Sequence, residues 1–427
     1  MRIQDILLLI LIMKNMSFKK IFFGVLKWCA LGVLIGTLGG LIGACFAHLL
    51  SFVTRLRQAE PWLILLLPIG SIATVLLYQV FNMHNYGGTN EIILCLTNKK
   101  PIRTIAAPLI FISSAITHLF GGSAGREGAA LQLGGGGAAA LCTVLRLKDD
   151  DRSVAVISGM SAVFAALFGT PLTAAFFVLE FKLSFKVIGR AILPCFISSI
   201  VATKLSSTLA VASETVHISS INTFTFPTIA KIIILSLGLS ILGRLMCLAF
   251  HKTDHLMRRL IPNAFLRTAL AAAIIVALTA IVGDMRYNGS GMSMAIMAIE
   301  GKADWFDFIL KIVFTAVTLA AGLKGGEIVP TFCVGATFGC VFGGMLGLDY
   351  GFAAALGLVG LFCCATNSPV SAVFLGVEMF GFSALPYFII ICIFLWLLSA
   401  NNGLFENRFF KSPIFSRIRK QGTTKAR

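Results

Sequence analysis

Apolar stretches long enough to cross a hydrocarbon layer about 30 Å thick recur from one end of this chain to the other. They lie at roughly 21–53, 61–81, 105–120, 154–180, 187–212, 228–250, 268–283, 306–323, 328–347 and 385–400. No soluble domain of any size is left between them, so residues 1–427 read as a single integral membrane unit. Composition agrees: 57% of the residues are apolar and 12% charged, against about 25% charged in an ordinary soluble domain.

A net charge of +17 would point to nucleic acid in a soluble protein. Here the basic residues sit in short loops and at the ends, where the positive-inside rule accounts for them and no nucleic-acid partner is needed. Lys252, Arg258, Arg259 and Arg267 place one loop in the cytoplasm. Arg408, Lys411, Arg417, Arg419 and Lys420 place the tail, 406–427, there too, in reach of anionic lipid headgroups. The eleven cysteines lie almost entirely inside apolar segments without CxxC spacing, as reduced, buried thiols do. The six histidines are scattered singly, so neither a metal site nor a cofactor is expected. The first apolar run, Ile6 to Met13, is too short to span and lacks a cleavage signal; Met1, Met13 and Met16 are all possible starts.

Two blocks of the sequence repeat. Gly125-Arg126-Glu127 is followed by Pro171 in GTPLTAAFFVLEF, and Gly325-Gly326-Glu327 is followed at nearly the same separation by Pro369 in NSPVSAVFLGVEMF. Each proline leads to a glutamate, Glu180 or Glu378. Ordered matches of this kind predict a duplicated unit of about 200 residues, with a first repeat at about 20–215 and a second at about 228–405. Duplicated halves suit a transporter, whose substrate sits where interrupted helices of the two halves meet. The glycine-dense stretches 121–137 and 322–347 are the expected interruptions. Gly134–Gly137 and Gly339–Gly347 are expected instead to pack helices closely.

A helix N-terminus presents unpaired N–H groups and about half a positive charge, which attracts an anion without a side-chain cation. Residues Gly125, Arg126, Glu127, Gly128 and Ala129, and Gly326, Glu327, Ile328 and Val329, read as two such helix starts, one per half. A carboxylate placed there competes with the anion, leaves when protonated and returns when the proton is lost. Glu127 is therefore the expected gate, against the simpler readings that it pairs with Arg126 or caps its helix. Glu327 is expected at the equivalent place in the second half, with Lys324 three residues away to neutralise it. Packing or capping at the membrane edge is expected of Glu180 and Glu378.

With these residues in hand, GREGA at 125–129, GTPLTAAFFVLE at 169–180, GGEIVP at 325–330 and NSPVSAVFLGVEM at 367–379 resemble the CLC family of chloride channels and anion/proton antiporters. The resemblance implies an all-α, CLC-type fold of two inverted helical repeats, interrupted helices at the ion site, and a homodimer. It puts the gating glutamate at Glu127 and the family's first ion-binding motif on Gly88, Thr89 and Asn90, with Ile92 closing it. The third motif falls on Gly326 to Pro330, and the C-terminal tyrosine on Phe405. No CBS domains are expected. The altered first motif and the GGE-x-x-P third motif are similar to the fluoride/proton antiporter branch, whereas the missing tyrosine fits neither branch. Phe181 stands where other members place a second proton-carrying glutamate.

The leading expectation is therefore a proton-coupled antiporter exporting fluoride across a cell inner membrane. A chloride/proton antiporter or chloride channel on the same fold is the alternative. An enzyme is disfavoured, because no nucleophile–base pair, metal cluster or phosphate loop is present. A scaffold leaves Arg126, Glu127 and Glu327 without a purpose.

Overall fold

A computed structural model describes residues 18–399 apart from 85, 99 and 182, together with Gly403 and Leu404. The N-terminal run, the basic tail and Phe405 lie outside the described residues. Within them the chain forms sixteen α-helices and no strand, the arrangement that pairs backbone groups inside each segment in the absence of water.

The helices fall into two sets of eight. The first is α1 (Phe18–Ala59), α2 (Leu67–Val80), α3 (Thr89–Asn98), α4 (Ala106–Leu119), α5 (Glu127–Val144), α6 (Asp149–Phe168), α7 (Pro171–Leu179) and α8 (Phe185–Thr208). The second is α9 (Phe226–Leu260), α10 (Ala264–Val282), α11 (Met292–Ile299), α12 (Asp307–Ala320), α13 (Ile328–Met345), α14 (Tyr350–Thr366), α15 (Pro369–Phe380) and α16 (Leu385–Leu398). Helices α4 and α12, α5 and α13, and α6 and α14 begin at a constant offset of 201 residues. Seven helices are long and apolar enough to cross a membrane. Others, such as the 10-residue α3 and the 8-residue α11, cover only about 1.5 Å per residue and are too short to cross.

The expected span 154–180 is not one helix. Gly169 closes α6 in the left-handed conformation (φ 72°) and Pro171 opens α7, the glycine-stop and proline-start pair that separates successive helices. Asn367 (φ 53°) and Pro369 divide α14 from α15 in the same way. The glycine-rich stretches break the helices only at 120–126 and 321–327, because α5 and α13 run unbroken through the glycines that follow. Those glycines pack helix against helix, as expected: a Cβ on Gly134 would lie 2.9 Å from the Met160 Cα, and one on Gly339 would lie 2.9 Å from the Gly357 Cα.

The two sets meet in inverted orientation at two places. Gly125 and Gly326 form an isolated antiparallel bridge, each amide donating to the other's carbonyl at 2.7 Å. Helices α7 and α15 lie side by side, with Phe176 and Phe374 stacked at 4.5 Å between ring centres and 8° between planes. Reciprocal contacts of this kind are the mark of a two-fold relation between the halves. Along this junction α14 is buried from Gly351 to Thr366.

Candidate functional site

Helices α5 and α13 start beside the Gly125–Gly326 bridge, so the two expected helix starts lie side by side. Neither has a side-chain hydrogen bond from its own N-cap residue, Arg126 or Glu327. Other helices in the chain are capped locally: Asn263 accepts from Phe265 N and Leu266 N at 2.9 and 3.2 Å, and Asp349 accepts from Phe352 N at 3.1 Å. At α13 the first amides are left for a partner from elsewhere.

For α13 that partner is Glu127. Its carboxyl is fully buried and Oε2 accepts from Val329 N at 3.2 Å, while Oε1 has no hydrogen-bond partner. The carboxylate of one half thus sits on the helix terminus of the other. Only glycine fits around it: a Cβ on Gly326 would lie 2.6 Å from Gly128 N and 2.8 Å from Glu127 Oε2.

Glu327 is not the counterpart of Glu127. At the offset of 201 residues the first helical position of α13 is Ile328, and Glu327 answers to Arg126. The motif match GRE against GGE is out of step by one residue, because the loop before α13 reaches its helix one residue later relative to the glutamate. Nor does Lys324 neutralise Glu327, since no ion pair joins them. Lys324 Nζ lies 4.5 Å over the Tyr78 ring.

Arg126 does not pair with Glu127 either. It forms an ion pair with Glu214, donates to Leu167 O at 3.3 Å and covers the Phe168 ring at 5.6 Å. Glu214 belongs to the segment joining the two halves and is seated by its own amide on Phe168 O at 3.2 Å. Sequence reasoning had no signal for it, because it lies in a polar linker with no motif.

Two cavities approach the site. One, about 370 Å³, is lined by Thr89, Asn90, Gly128, Gln132, Gly326 and Ile328 among others, and by Asp254 and Arg258 near the end of α9; Gly88, Lys324 and Glu327 face it as well. The expected basic loop is thus largely helical, with Lys252, Arg258 and Arg259 in α9 and Arg267 in α10. The other, about 640 Å³, is lined by Arg126, Glu214, His48, His118, Ser290 and Val329 among others. Glu127 lines neither and lies between them in the chain's packing. The three predicted motifs therefore converge on one place, while Phe405 falls outside the described residues. Thr89 differs in detail, since its hydroxyl donates to Gly128 O at 3.2 Å. Gln132 Nε2 donates to the same oxygen at 3.0 Å, a neighbour that the motifs did not reveal.

Away from this site, Glu180 and Glu378 are caps, as expected, but for helices of the opposite half. Glu180 accepts from Val370 N at 3.0 Å, Ser371 N at 3.2 Å and Ser371 Oγ at 2.5 Å. Glu378 accepts from Leu172 N and Thr173 N at 2.8 Å and from Thr173 Oγ at 2.6 Å.

The profile described as "Voltage gated chloride channel" matches residues 69–398, more than half of the chain. The chain belongs to the CLC family. It is 32% identical over 389 residues to the "Chloride/fluoride channel protein" of Pseudomonas syringae pv. tomato, covering 89% of this chain and 86% of that protein. It is 24% identical over 383 residues to the "H(+)/Cl(-) exchange transporter ClcA" of Klebsiella pneumoniae subsp. pneumoniae, covering 82% and 80%. Among solved structures, a CLC-type fluoride/proton antiporter superposes with a TM-score of 0.86 at 30% identity, over 93% of this chain and all of that one. A slow cyanobacterial Cl⁻/H⁺ antiporter superposes with a TM-score of 0.71 at 16% identity, over 93% and 98%, and shares the fold. The CLC fold of two inverted repeats with interrupted helices is thus the fold of this chain.

Proposed function

We propose that this CLC protein exports fluoride in exchange for protons, with Glu127 as the group that both closes the anion path and carries the proton. The observation that supports this most is the hydrogen bond from Val329 N to a buried carboxylate that stands between two cavities. An anion reaching the start of α13 competes with that carboxylate for the amide. Protonating Glu127 removes the charge that holds it there, and the anion takes its place. When the anion leaves, the carboxyl loses its proton and returns. One side chain thus links anion and proton movement, because carboxylate and anion exclude each other from the same donors.

The anion-binding set we assign is Gly88, Thr89, Asn90, Gly125, Arg126, Gly128, Ala129, Gly326, Glu327, Ile328, Val329 and Phe405. Backbone amides dominate it, and fluoride, small and strongly hydrated, needs close donors to replace its water. The resemblance to a fluoride/proton antiporter over the whole of that chain supports the same choice. We further assign one transport unit per chain built of repeats at about 20–215 and 228–405. We place the protein in the inner membrane as a homodimer among lipids, with the basic α9–α10 corner at 252–267 and the 406–427 tail in the cytoplasm.

Ion-selective electrodes on proteoliposomes test the assignment. Fluoride efflux is expected to exceed chloride efflux at equal gradients and to drive protons the other way. Equal rates for the two anions would overturn the fluoride reading and favour the chloride/proton exchange named for the Klebsiella relative.

A further inference from the structure

Among the described residues, three carboxylates bind a helix N-terminus of the opposite half, and they do so unequally. Glu378 on α7 and Glu180 on α15 each grip two consecutive amides and a hydroxyl. In both helices these donors are the second and third residues: Leu172 and Thr173 after Pro171, and Val370 and Ser371 after Pro369. Glu127 reaches α13 at the corresponding second residue, Val329, and there the grip ends. The third residue of α13 is Pro330.

Proline has no N–H and no hydroxyl, so it withholds both donors that the other two caps use. Ile328, the first residue of α13, does carry an N–H, but it gives Glu127 no hydrogen bond. Pro330 also touches the cradle of the carboxylate, since a Cβ on Gly125 would lie 3.0 Å from the Pro330 Cδ. The free edge of the carboxylate, Oε1, is left without a partner.

From this we infer that Pro330 is a positioning residue for exchange: by denying Glu127 a second amide and a hydroxyl of α13, it keeps the carboxylate weakly held on the opposite half, so that an anion can displace it there at each turnover. Glu180 and Glu378 show the grip this fold builds when the third residue can donate. The inference rests on the proposed role of Glu127.

Pro330→Ala restores the amide alone, and Pro330→Ser restores amide and hydroxyl as at Ser371. With about fivefold in an equilibrium per hydrogen bond gained, exchange is expected to slow about fivefold in P330A and further in P330S, with the anion-to-proton ratio unchanged. The same substitutions are also made in a Glu127→Ala background, where no carboxylate remains to be held. Anion leak there is expected to be unaffected by P330A.

A P330A protein that exchanges as fast as wild type would overturn the inference. So would equal slowing in the Glu127→Ala background, which would show that Pro330 only shapes the helix. Fluoride and chloride are measured in parallel, with wild type as the control for the underlying function: failure of wild type to couple either anion to protons counts against Glu127 as the gate, not against the comparison of caps.

Discussion

Two of the junctions between the halves of this protein are built with the same device and opposite strength. At the α7–α15 junction, two phenylalanines stack face to face and two glutamates are each held by three donors. At the α5–α13 junction, two glycines bridge and a single glutamate is held across the halves by one amide at 3.2 Å. A buried carboxylate with its donors satisfied is a fixed part of the fold, because breaking it strands both the charge and the amides. A buried carboxylate that takes a single amide from the opposite half is closer to balance between staying and leaving. On the proposed role of Glu127, what separates a structural cap from a gate here is the number of donors the receiving helix offers.

The sharpest way to break the comparison is to neutralise a carboxylate at each junction. Glu127→Gln is expected to abolish proton coupling altogether, leaving no flux or an uncoupled anion leak, because the carboxamide cannot lose a proton. Simultaneous anion-electrode and pH recordings check it; uphill proton movement at the wild-type rate would remove Glu127 from the role of gate. Glu180→Gln is expected to do the reverse. It leaves the anion-to-proton ratio intact and lowers stability by about 1–3 kcal/mol, since two amides and a hydroxyl lose a charged acceptor. A thermal melt of the detergent-solubilised protein measures the loss, and a changed ratio would mean that Glu180 carries protons in place of the residue that Phe181 replaces.

Crowding the weaker junction tests whether its looseness depends on glycine. Gly326→Ala would put a methyl group 2.8 Å from the Glu127 carboxylate. Overpacking of this kind costs about 1–3 kcal/mol, so turnover is expected to fall at least fivefold with a smaller drop in melting temperature. The smallest effect is expected from Glu214→Gln. The Arg126–Glu214 pair is partly exposed, with side chains 19% and 18% accessible, and Arg126 keeps its bond to Leu167 O. Exchange rates within about threefold of wild type, with stability nearly unchanged, are expected.

Much of this architecture was legible in the residues. The spans followed from apolar length, and the repeat followed from two prolines and their glutamates. The two site helices could be read from glycine-rich breaks followed by renewed apolar sequence. The reading failed where a break and a span share one apolar run: 154–180 holds Gly169 and Pro171 amid residues that suit a helix throughout. It failed again at Glu327, where letters aligned but helix phase did not. Phase depends on where a loop releases its chain, which adjacent letters do not report.

The sequence by itself determined that this chain belongs in a membrane, that it is doubled, and that Glu127 stands at the start of a glycine-flanked helix. Those are properties of local composition and spacing, which water, lipid and backbone sterics act upon directly. Only the tertiary structure decided the partners. Glu127 lies on Val329, Glu180 on Val370 and Ser371, Glu378 on Leu172 and Thr173, and Arg126 on Glu214. The physical reason is that a carboxylate binds whichever donor is brought within about 3 Å of it, and here the donors for all three glutamates are brought there by the inversion of one half against the other.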